Sequence, residues 1–296
     1  MSRFNDAESG EPGLMLTPAA GEDRVTVMLA AFEGWNDAGE AASDVLKYLH
    51  KFWDAKRVAV IEPDEYYDFQ FTRPEVRLNS AGRRKIKWPV TKIAKASIPG
   101  TEVDVILVHG IEPSYRWRAY TAELLAKAAE LRVNYVVLVG ALLADVPHSR
   151  PIPVSASCDD AELAKRLNLE PSAYEGPIGI VGVLNEVSLL AGLPTVSVWA
   201  AVPHYVAQAP SPKAELALLN KIEDFLQVTL PMAELSDDAQ AWERGVNDLA
   251  AQDPEIGAYV KQLEEAKDTA ELPEATGDSI AKEFERYLRR RGTDQP

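Results

Sequence analysis

Polar side chains follow the predicted strands of this chain at the points where a parallel sheet would present its ligand-binding edge. The five with acid, base or hydrogen-bonding chemistry are Glu33, Asn36, Asp145, His148 and His204. In open parallel sheets, ligands bind beyond the carboxyl ends of the strands. Histidine can also give and take a proton near neutral pH. The pattern is therefore compatible with a catalytic cleft at the strand ends.

A structural interpretation of the same residues is favoured, because loops are polar whether or not they bind a ligand. Asp37, with Glu40 three residues later, resembles a capping box at the start of a helix. Neither a His-Glu-x-x-His zinc motif nor a Gly-x-Ser-x-Gly nucleophile elbow occurs in the sequence. We therefore predict no catalytic residue, no metal site and no cofactor, and keep the five strand-end residues as candidates if the protein is an enzyme.

The glycines of residues 176–182 are spaced by three and precede a predicted helix. This arrangement can leave backbone N–H groups available to an anion. It is neither a dinucleotide fingerprint nor a P-loop, because no Lys-Ser/Thr pair follows and the intervening residues are apolar. Close packing of the chain is the favoured interpretation, and anion binding is the alternative.

Two clusters have the composition of protein interfaces. Tyr66 and Tyr67 lie in the first, and Arg116, Trp117 and Arg118 lie in the second. Arg, Trp and Tyr are enriched at interface hot spots, and cations at a helix start oppose the helix dipole. We predict these five as interaction candidates. The alternative is a solvated charged turn, with the tryptophan continuing the apolar face of the helix.

Short apolar runs alternate with segments of helical periodicity along most of the chain. The predicted strands are 25–31, 57–61, 103–108, 135–139 and 195–201, and the predicted helices are 41–53, 117–131, 182–191 and one that begins at Pro212. This order predicts an α/β fold of three layers, α/β/α, with a largely parallel sheet between helices. Between residues 66 and 97, short segments separated by Pro74, Gly82 and Pro89 predict inserted antiparallel hairpins.

Composition divides the chain at residue 230. Residues 1–230 are predicted to form the α/β domain, with residues 1–23 as a flexible N-terminus. Residues 231–296 contain no strand signal and carry 16 acidic and 8 basic side chains, which predicts an acidic C-terminal helical region. Its helical periodicity is clearest in Ile280, Phe284, Tyr287 and Leu288. Residues 264–275 are predicted to form a linker.

The overall charge and the cysteine content exclude several classes of partner. With 46 acidic and 31 basic residues the net charge is -15, which repels nucleic-acid phosphate and anionic membranes. The longest apolar run has ten residues, 135–144, where a membrane span needs about 20. The single cysteine, Cys158, can form no internal disulfide, and an inert thiol is favoured over a nucleophile. We expect a cytoplasmic protein.

Five motifs occur in a specific order, at residues 32–39, 110–118, 140–145, 176–182 and 200–205. In this order they resemble the PAC2 family, the proteasome assembly chaperone 2-like proteins, in its actinobacterial branch. The resemblance implies a three-layer core similar to the phosphorylase/hydrolase-like folds, self-association, and binding to proteasome subunits during assembly. It implies no catalytic residues.

These observations lead to two hypotheses of function. The first is a non-enzymatic protein-binding module of proteasome-assembly-chaperone type that forms a homo-oligomer, with a trimer expected. The alternative is a small-molecule hydrolase or phosphorylase-like enzyme at the strand-end cleft. An enzyme needs its polar groups within hydrogen-bond reach of one enclosed pocket, whereas scattered groups favour the binding module.

Overall fold

A computed structural model describes residue 16 and residues 23–271 of the chain. The predicted N-terminal segment up to residue 22, Leu16 apart, and the predicted helix around Phe284 lie outside the described residues. The strands are β1 (Val25–Glu33), β2 (Lys56–Ile61), β3 (Glu75–Leu78), β4 (Arg84–Lys87), β5 (Thr91–Ser97), β6 (Val103–Ile111), β7 (Tyr135–Ala144), β8 (Val154–Cys158) and β9 (Thr195–Pro203). The α-helices are α1 (Ala41–Phe52), α2 (Trp117–Glu130), α3 (Ala161–Leu167), α4 (Ile180–Leu190), α5 (Pro212–Leu226), α6 (Ala233–Gln252) and α7 (Pro254–Glu271).

Seven of the strands form one mixed sheet in the order β2-β5-β6-β1-β7-β9-β8. The four strands β6, β1, β7 and β9 are parallel neighbours, whereas β5 and β8 pair antiparallel with their neighbours. The predicted α/β fold with a largely parallel sheet is confirmed. The carboxyl ends of the parallel strands therefore meet at one edge of the sheet, as the prediction of a strand-end cleft requires.

Alternation of side chains along the central strand separates two apolar layers. In β1, Val27, Leu29 and Ala31 face a core that contains α1 and α5. Met28, Ala30 and Phe32 face a second core that contains α2 and α4. Because the strand is buried on both faces, its sequence is a nearly continuous apolar run. The three-layer α/β/α arrangement predicted from the sequence is present.

The segment between residues 66 and 97 forms one separate hairpin rather than several inserted ones. Strands β3 and β4 pair only with each other, as a two-stranded antiparallel sheet within the described residues. The third predicted segment is β5, which joins the main sheet between β2 and β6. Burial of Thr91, Ile93 and Ala94 within the domain explains this difference, since β3 and β4 have exposed side chains throughout.

Helices α6 and α7 follow the α/β core in sequence and pack against it. Leu235 of α6 belongs to the same apolar core as α1 and α5. The predicted linker at 264–275 is wrong for its first part, because α7 continues to Glu271. Contacts of Glu264 and Asp268 with the loop after β7 hold this part of the helix in place. None of the helices in residues 23–271 is long and apolar enough to cross a membrane.

Candidate functional site

The glycine-rich start of α4 holds an anion, and that anion is a side chain of the chain itself. Glu112 Oε1 accepts a hydrogen bond from Ile180 N at 2.8 Å and another from Asn36 Nδ2 at 2.7 Å. A helix N-terminus favours negative charge through its free N–H groups and its dipole. A Cβ atom on Gly179 would come within 2.3 Å of Asn36 Oδ1. Close packing therefore requires a glycine here.

Asp37 has a structural role at the start of α1. Its Oδ1 accepts hydrogen bonds from Ala42 N at 2.8 Å and from Ser43 N at 3.1 Å. Burial raises the pKa of this carboxyl group, and the bonds from Ser43 and Ala42 oppose that change. Glu40 does not complete the predicted capping box. Its side chain contacts Lys47 instead.

Glu33 lies beside a histidine from the neighbouring strand. His109 occupies β6 in register with Ala31 of β1, and its Nε2 atom is 3.1 Å from Glu33 Oε1. Lys47 Nζ is 3.9 Å from the same oxygen. The contact with His109 is the largest cause of a lowered pKa for Glu33. This acid is therefore ionised at neutral pH and is paired with positive or hydrogen-bonding groups.

His148 is completely buried between the end of β9 and α6. Tyr205 Oη accepts the backbone N–H of His148 at 2.8 Å and lies 2.8 Å from its Nδ1. The hydroxyl proton is therefore donated to Nδ1, and Nε2 carries the ring proton and donates it to Asn247 Oδ1 at 3.2 Å. Burial lowers the pKa of this histidine. The ring is held neutral in one tautomer, with both nitrogens used.

Asp145 and His204 form a pair on the surface beside His148. His204 Nδ1 is 3.2 Å from Asp145 Oδ1, which also accepts the hydroxyl of Tyr259 at 3.0 Å. The rings of His204 and Tyr205 are 5.8 Å apart, edge to face. Three of the five strand-end candidates, Asp145, His148 and His204, are thus brought into one neighbourhood.

Glu33 and Asn36 belong to other groups. Within residues 23–271, no hydrogen bond or ion pair connects either of them to the neighbourhood of His148. Their partners are a histidine of β6 in one case and an acid at the start of α4 in the other. The five candidates therefore occupy three separate groups, of which the third is held together by the ring contact of His204 with Tyr205.

The tyrosines predicted as interaction candidates lie inside the chain. Tyr66 is 7% exposed and donates its hydroxyl to Glu123 Oε2 at 2.6 Å. Tyr67 is 4% exposed and donates to the carbonyl oxygen of Ile111 at 2.8 Å. Both side chains pack in the core on the α2 side, where the ring of Tyr66 meets that of Tyr120 at 5.3 Å. Their contacts fix the segment after β2 against α2.

The second predicted cluster is only partly on the surface. Trp117 is half-buried and donates its indole N–H to the carbonyl oxygen of Pro113 at 2.6 Å. Arg116 is exposed and pairs with Glu65, so it connects this turn to the segment that contains Tyr66. Arg118 is exposed on the first turn of α2. The two predicted clusters thus contact each other within the chain, and only the two arginines remain at the surface.

An apolar surface that the sequence analysis did not select lies on the β3–β4 hairpin, which we call the arm. Because Val76 pairs with Ile86 across the hairpin, the two side chains share one face. Leu78 lies on that face by alternation, and Trp88, directly after β4, lines the same groove as Leu78 and Ile86. All four side chains are exposed, with Leu78 at 70%. The opposite face carries Glu75, Arg77, Lys85 and Lys87.

A groove of about 670 Å³ separates the arm from the edge strand β2. Its walls come from Arg57 to Val60 of β2 on one side and from residues 77–79 and 85–88 of the arm on the other. Basic side chains of the arm therefore line the groove together with apolar ones. The outer edge of β2 has no strand partner among the described residues. An open strand edge beside exposed apolar groups is a site where another chain can add.

Cys158 is buried at the end of β8, and burial raises the pKa of its thiol. A raised pKa lowers the fraction of reactive thiolate, in agreement with the interpretation as an inert thiol. The described residues contain no group of three or more His, Cys, Asp or Glu side chains that could hold a metal ion.

One known protein family matches the part of the sequence that forms most of the sheet and the side-chain groups described above. The PAC2 family matches residues 31–250, about three quarters of the chain. The chain belongs to the PAC2 family. No functionally curated protein matches it.

Solved PAC2 structures from actinobacteria are similar to this chain over the same region. A PAC2 family protein from Streptomyces avermitilis is 52% identical, with a TM-score of 0.75, and the match covers 79% of this chain and 99% of that one. A proteasome-assembly chaperone homologue from Mycobacterium tuberculosis is 46% identical, with a TM-score of 0.72 and the same coverage. These relatives confirm the prediction that the chain belongs to the actinobacterial branch of the PAC2 family.

An archaeal structure shows how far the PAC2 fold extends. The proteasome activator PbaB from Pyrococcus furiosus is 16% identical, with a TM-score of 0.60, over 77% of this chain and 95% of that one. At this identity the likeness concerns the fold alone.

In this PAC2 chain, sequence reasoning did not foresee the roles of Glu112 and Tyr205, because each acts on a residue distant in sequence and no local motif marks it.

Proposed function

We propose that this PAC2 chain is a non-enzymatic protein-binding module, similar in role to proteasome assembly chaperones, and that the arm is its contact surface. The observation that carries the proposal is the uncovered apolar face of β3 and β4. An isolated two-stranded hairpin is marginally stable in water, and it needs packing against another element to become stable. A partner protein that covers Val76, Leu78 and Ile86 supplies that packing.

Charge defines the chemistry of the partner. Residues 71–92 contain seven basic residues and one acidic residue, on a chain whose net charge is -15. A basic surface attracts a complementary acidic surface. The partner is therefore a protein segment with apolar side chains between acidic ones, and proteasome subunits are the candidates that the relatives suggest.

The arrangement of the strand-end residues supports this function over the enzyme alternative. An active site concentrates its acid, base and polar groups around one enclosed pocket. Here the candidates fall into three groups, and the carboxylate at the α4 N-terminus belongs to the chain itself. The His148 ring spends both nitrogens on Tyr205 and Asn247, so it has no lone pair or proton to offer a substrate.

A binding experiment with purified components tests the proposal. The full chain is mixed with proteasome α and β subunits of the same organism, and complexes are measured by native mass spectrometry and by titration. We expect a complex that weakens at least tenfold in Leu78→Asn and Ile86→Asn. The matched controls Leu190→Asn and Leu249→Asn change exposed apolar side chains of α4 and α6, outside the arm, and we expect a smaller loss from them. Absence of any complex, or equal behaviour of all four variants, would contradict the proposal.

Self-association is part of the same proposal. A homo-oligomer, with a trimer expected, leaves fewer apolar side chains in water than a monomer does. Native mass spectrometry at micromolar concentration gives the stoichiometry, and a monomer would contradict it. The variants Leu78→Asn and Ile86→Asn then show whether a second copy of the chain or a partner protein covers the arm. If they lose the oligomer, the apolar face binds a second copy. Loss of the subunit complex alone assigns it to the partner. The site of action that fits these partners is the cytoplasm.

A further inference from the structure

The groove between the arm and β2 is basic, although the chain as a whole carries a net charge of -15. Among the described residues that line it, the acid is Glu62 and the bases are Arg57, Arg77, Lys85, Lys87 and Lys92. Arg77 pairs with Glu75 at 2.6 Å. Arg57, Lys85 and Lys92 form no ion pair within residues 23–271. Cations that an acidic chain leaves unpaired are available to an acid from outside it.

Two of the unpaired cations lie at the outer edge of the main sheet. Arg57 of β2 pairs with Ala94 of β5, and Lys92 comes two residues before Ala94. Because side chains alternate along a strand and cross-strand pairs share a face, Arg57 and Lys92 lie on the same face of the sheet. Both lie outside the arm, whose Lys85 lines the opposite wall of the groove.

Apolar side chains accompany these cations. Val58, at the irregularity between Arg57 and Ala59, has no register partner in β5 and is 47% exposed. Trp88 is exposed on the other wall. The groove is open to solvent along one side, so it suits a segment of chain better than a small molecule, which needs an enclosed site. A matching segment carries acidic and apolar side chains together.

A segment of this kind lies at the opposite edge of the same sheet. Residues 170–178, which we call the acidic loop, lie between α3 and α4, and all nine are exposed. Glu170 forms an isolated bridge with Ser157 of β8, the edge strand at the far end of the sheet from β2.

The side chains of the acidic loop complement those of the groove. Glu170 and Glu175 are its charged residues, and neither forms an ion pair among the residues that the structure describes. Tyr174 and Ile178 are exposed apolar side chains of the same loop. Nine extended residues span up to about 30 Å, whereas the β2 wall of the groove, residues 57–62, is about 20 Å long. The acidic loop is therefore long enough to occupy the groove.

We propose that the acidic loop of one copy of this chain binds in the basic groove of the next copy. This contact rests on the self-association in the proposed function and specifies which surfaces meet. Each copy has one groove and one acidic loop, at opposite edges of its sheet, so the contact is head-to-tail. Repeated head-to-tail contacts close into a ring when the rotation between copies allows it, in agreement with the expected trimer.

Charge reversal in the full-length chain tests the contact by native mass spectrometry at micromolar concentration. The groove variant carries Arg57→Glu with Lys92→Glu, and the loop variant carries Glu170→Lys with Glu175→Lys. We expect each variant to raise the dissociation constant of the oligomer at least about tenfold, because like charges then face each other. Urea unfolding checks that each variant folds, and Lys85→Glu replaces the groove variant if that variant does not.

Two control variants make the same changes in net charge at exposed residues elsewhere. One carries Lys51→Glu with Arg244→Glu, and the other carries Asp248→Lys with Glu255→Lys. We expect both controls to form oligomers as stable as that of the unchanged chain.

Mixing the variants identifies a groove-to-loop contact. The groove variant keeps its acidic loop and the loop variant keeps its groove, so an equimolar mixture is expected to form a complex of one copy of each and no ring. A chain with all four reversals has complementary charges again, and we expect its oligomer to recover.

The possible outcomes separate this contact from the proposed function. Oligomers that persist in the groove and loop variants would overturn the contact but leave self-association intact. Failure of the two variants to pair on mixing, or of the fourfold variant to recover, would also overturn it. A monomeric unchanged chain would contradict both. Binding of proteasome subunits is measured on the same samples, and its absence would contradict the proposed function without affecting this contact.

Discussion

Glu112 and Asn36, which are 76 residues apart in sequence, meet at 2.7 Å through Glu112 Oε1 and Asn36 Nδ2, and the same oxygen accepts the first N–H of α4. Asn36 is 1% exposed, so its amide group depends on partners within the protein. The pair joins the loop after β1, the loop after β6 and the start of α4. Asn36 Oδ1, in contrast, has no hydrogen-bond partner among the described residues.

We expect Glu112→Ala to lower the free energy of unfolding by about 2–3 kcal/mol, because it leaves a buried amide donor and a helix N–H without an acceptor. Glu112→Gln keeps an oxygen in place and loses only the interaction of charge with the helix dipole, about 0.5–1 kcal/mol. Urea unfolding measures both. Glu265→Ala, in an exposed pair, is the control. Equal effects of the two Glu112 variants would contradict the assigned role.

Glu215 on α5 predicts a pH dependence of stability. Burial, together with the nearby charges of Asp44 and Asp238 and against that of Lys47, raises its pKa to about 7. The folded state then holds this proton more tightly than the unfolded chain, whose pKa is 4.5. Its contribution to the free energy of unfolding is thus present below pH 4.5 and is lost as the pH rises through 7.

Glu215→Gln is therefore expected to stabilise the protein at pH 8 by on the order of 1 kcal/mol, once screening by water is allowed for. At pH 4.5 the two proteins unfold at the same urea concentration. Comparison of the midpoints at both pH values measures this. A gain of the same size at pH 4.5 would mean that ionisation of this carboxyl group is not the cause.

His148 has the opposite pH dependence. Burial and Lys213 lower its pKa, while Asn247, Glu243 and Glu264 act to raise it. Stability from this group is present above the unfolded pKa of 6.5 and is lost as the pH falls through the folded value. We expect His148→Ala to cost roughly 2–4 kcal/mol at pH 7.5. His204→Ala, with a side chain 45% exposed, changes stability by less than about 0.5 kcal/mol.

Catalysis gives a separate test of the same histidines. We expect no turnover above background with nucleoside, ester or phosphate substrates, and unchanged partner capture by His148→Asn and His204→Asn. If the strand ends form an active site, these variants instead lower an activity by about 10²-fold to 10⁴-fold. A reproducible turnover abolished by either change would support the enzyme alternative.

The domain boundary at residue 230 is open to a direct measurement. All strands of the described residues precede Pro231, so we expect residues 1–230 to fold without the helical region. Removal of α6 also removes Leu235 from the shared core, and the midpoint of unfolding should therefore be lower than in the full chain. Calorimetry of both chains checks this. An insoluble or non-cooperative fragment would show that the helices belong to the same folding unit.

Local sequence was informative wherever burial was uniform along an element. The apolar runs of β1, β6, β7 and β9 identified these strands because parallel strands are buried on both faces. Pro212, after Ser211, correctly marked the start of α5. Pairing was harder to predict. Residues 91–97 looked like part of a hairpin, yet their buried side chains join the main sheet between β2 and β6.

The sequence by itself determined the α/β class, the family and the polar character of the strand ends, because these depend on periodicity and on the order of motifs. Only the tertiary structure decided which polar groups meet and which aromatic groups face water. Tyr66 and Tyr67 have interface composition but are buried, while Leu78 and Trp88 have core composition but are exposed. Glu112 reaches Asn36 because the loops after β1 and β6 are neighbours at one sheet edge. Such contacts arise from strand order, which no short stretch of sequence encodes.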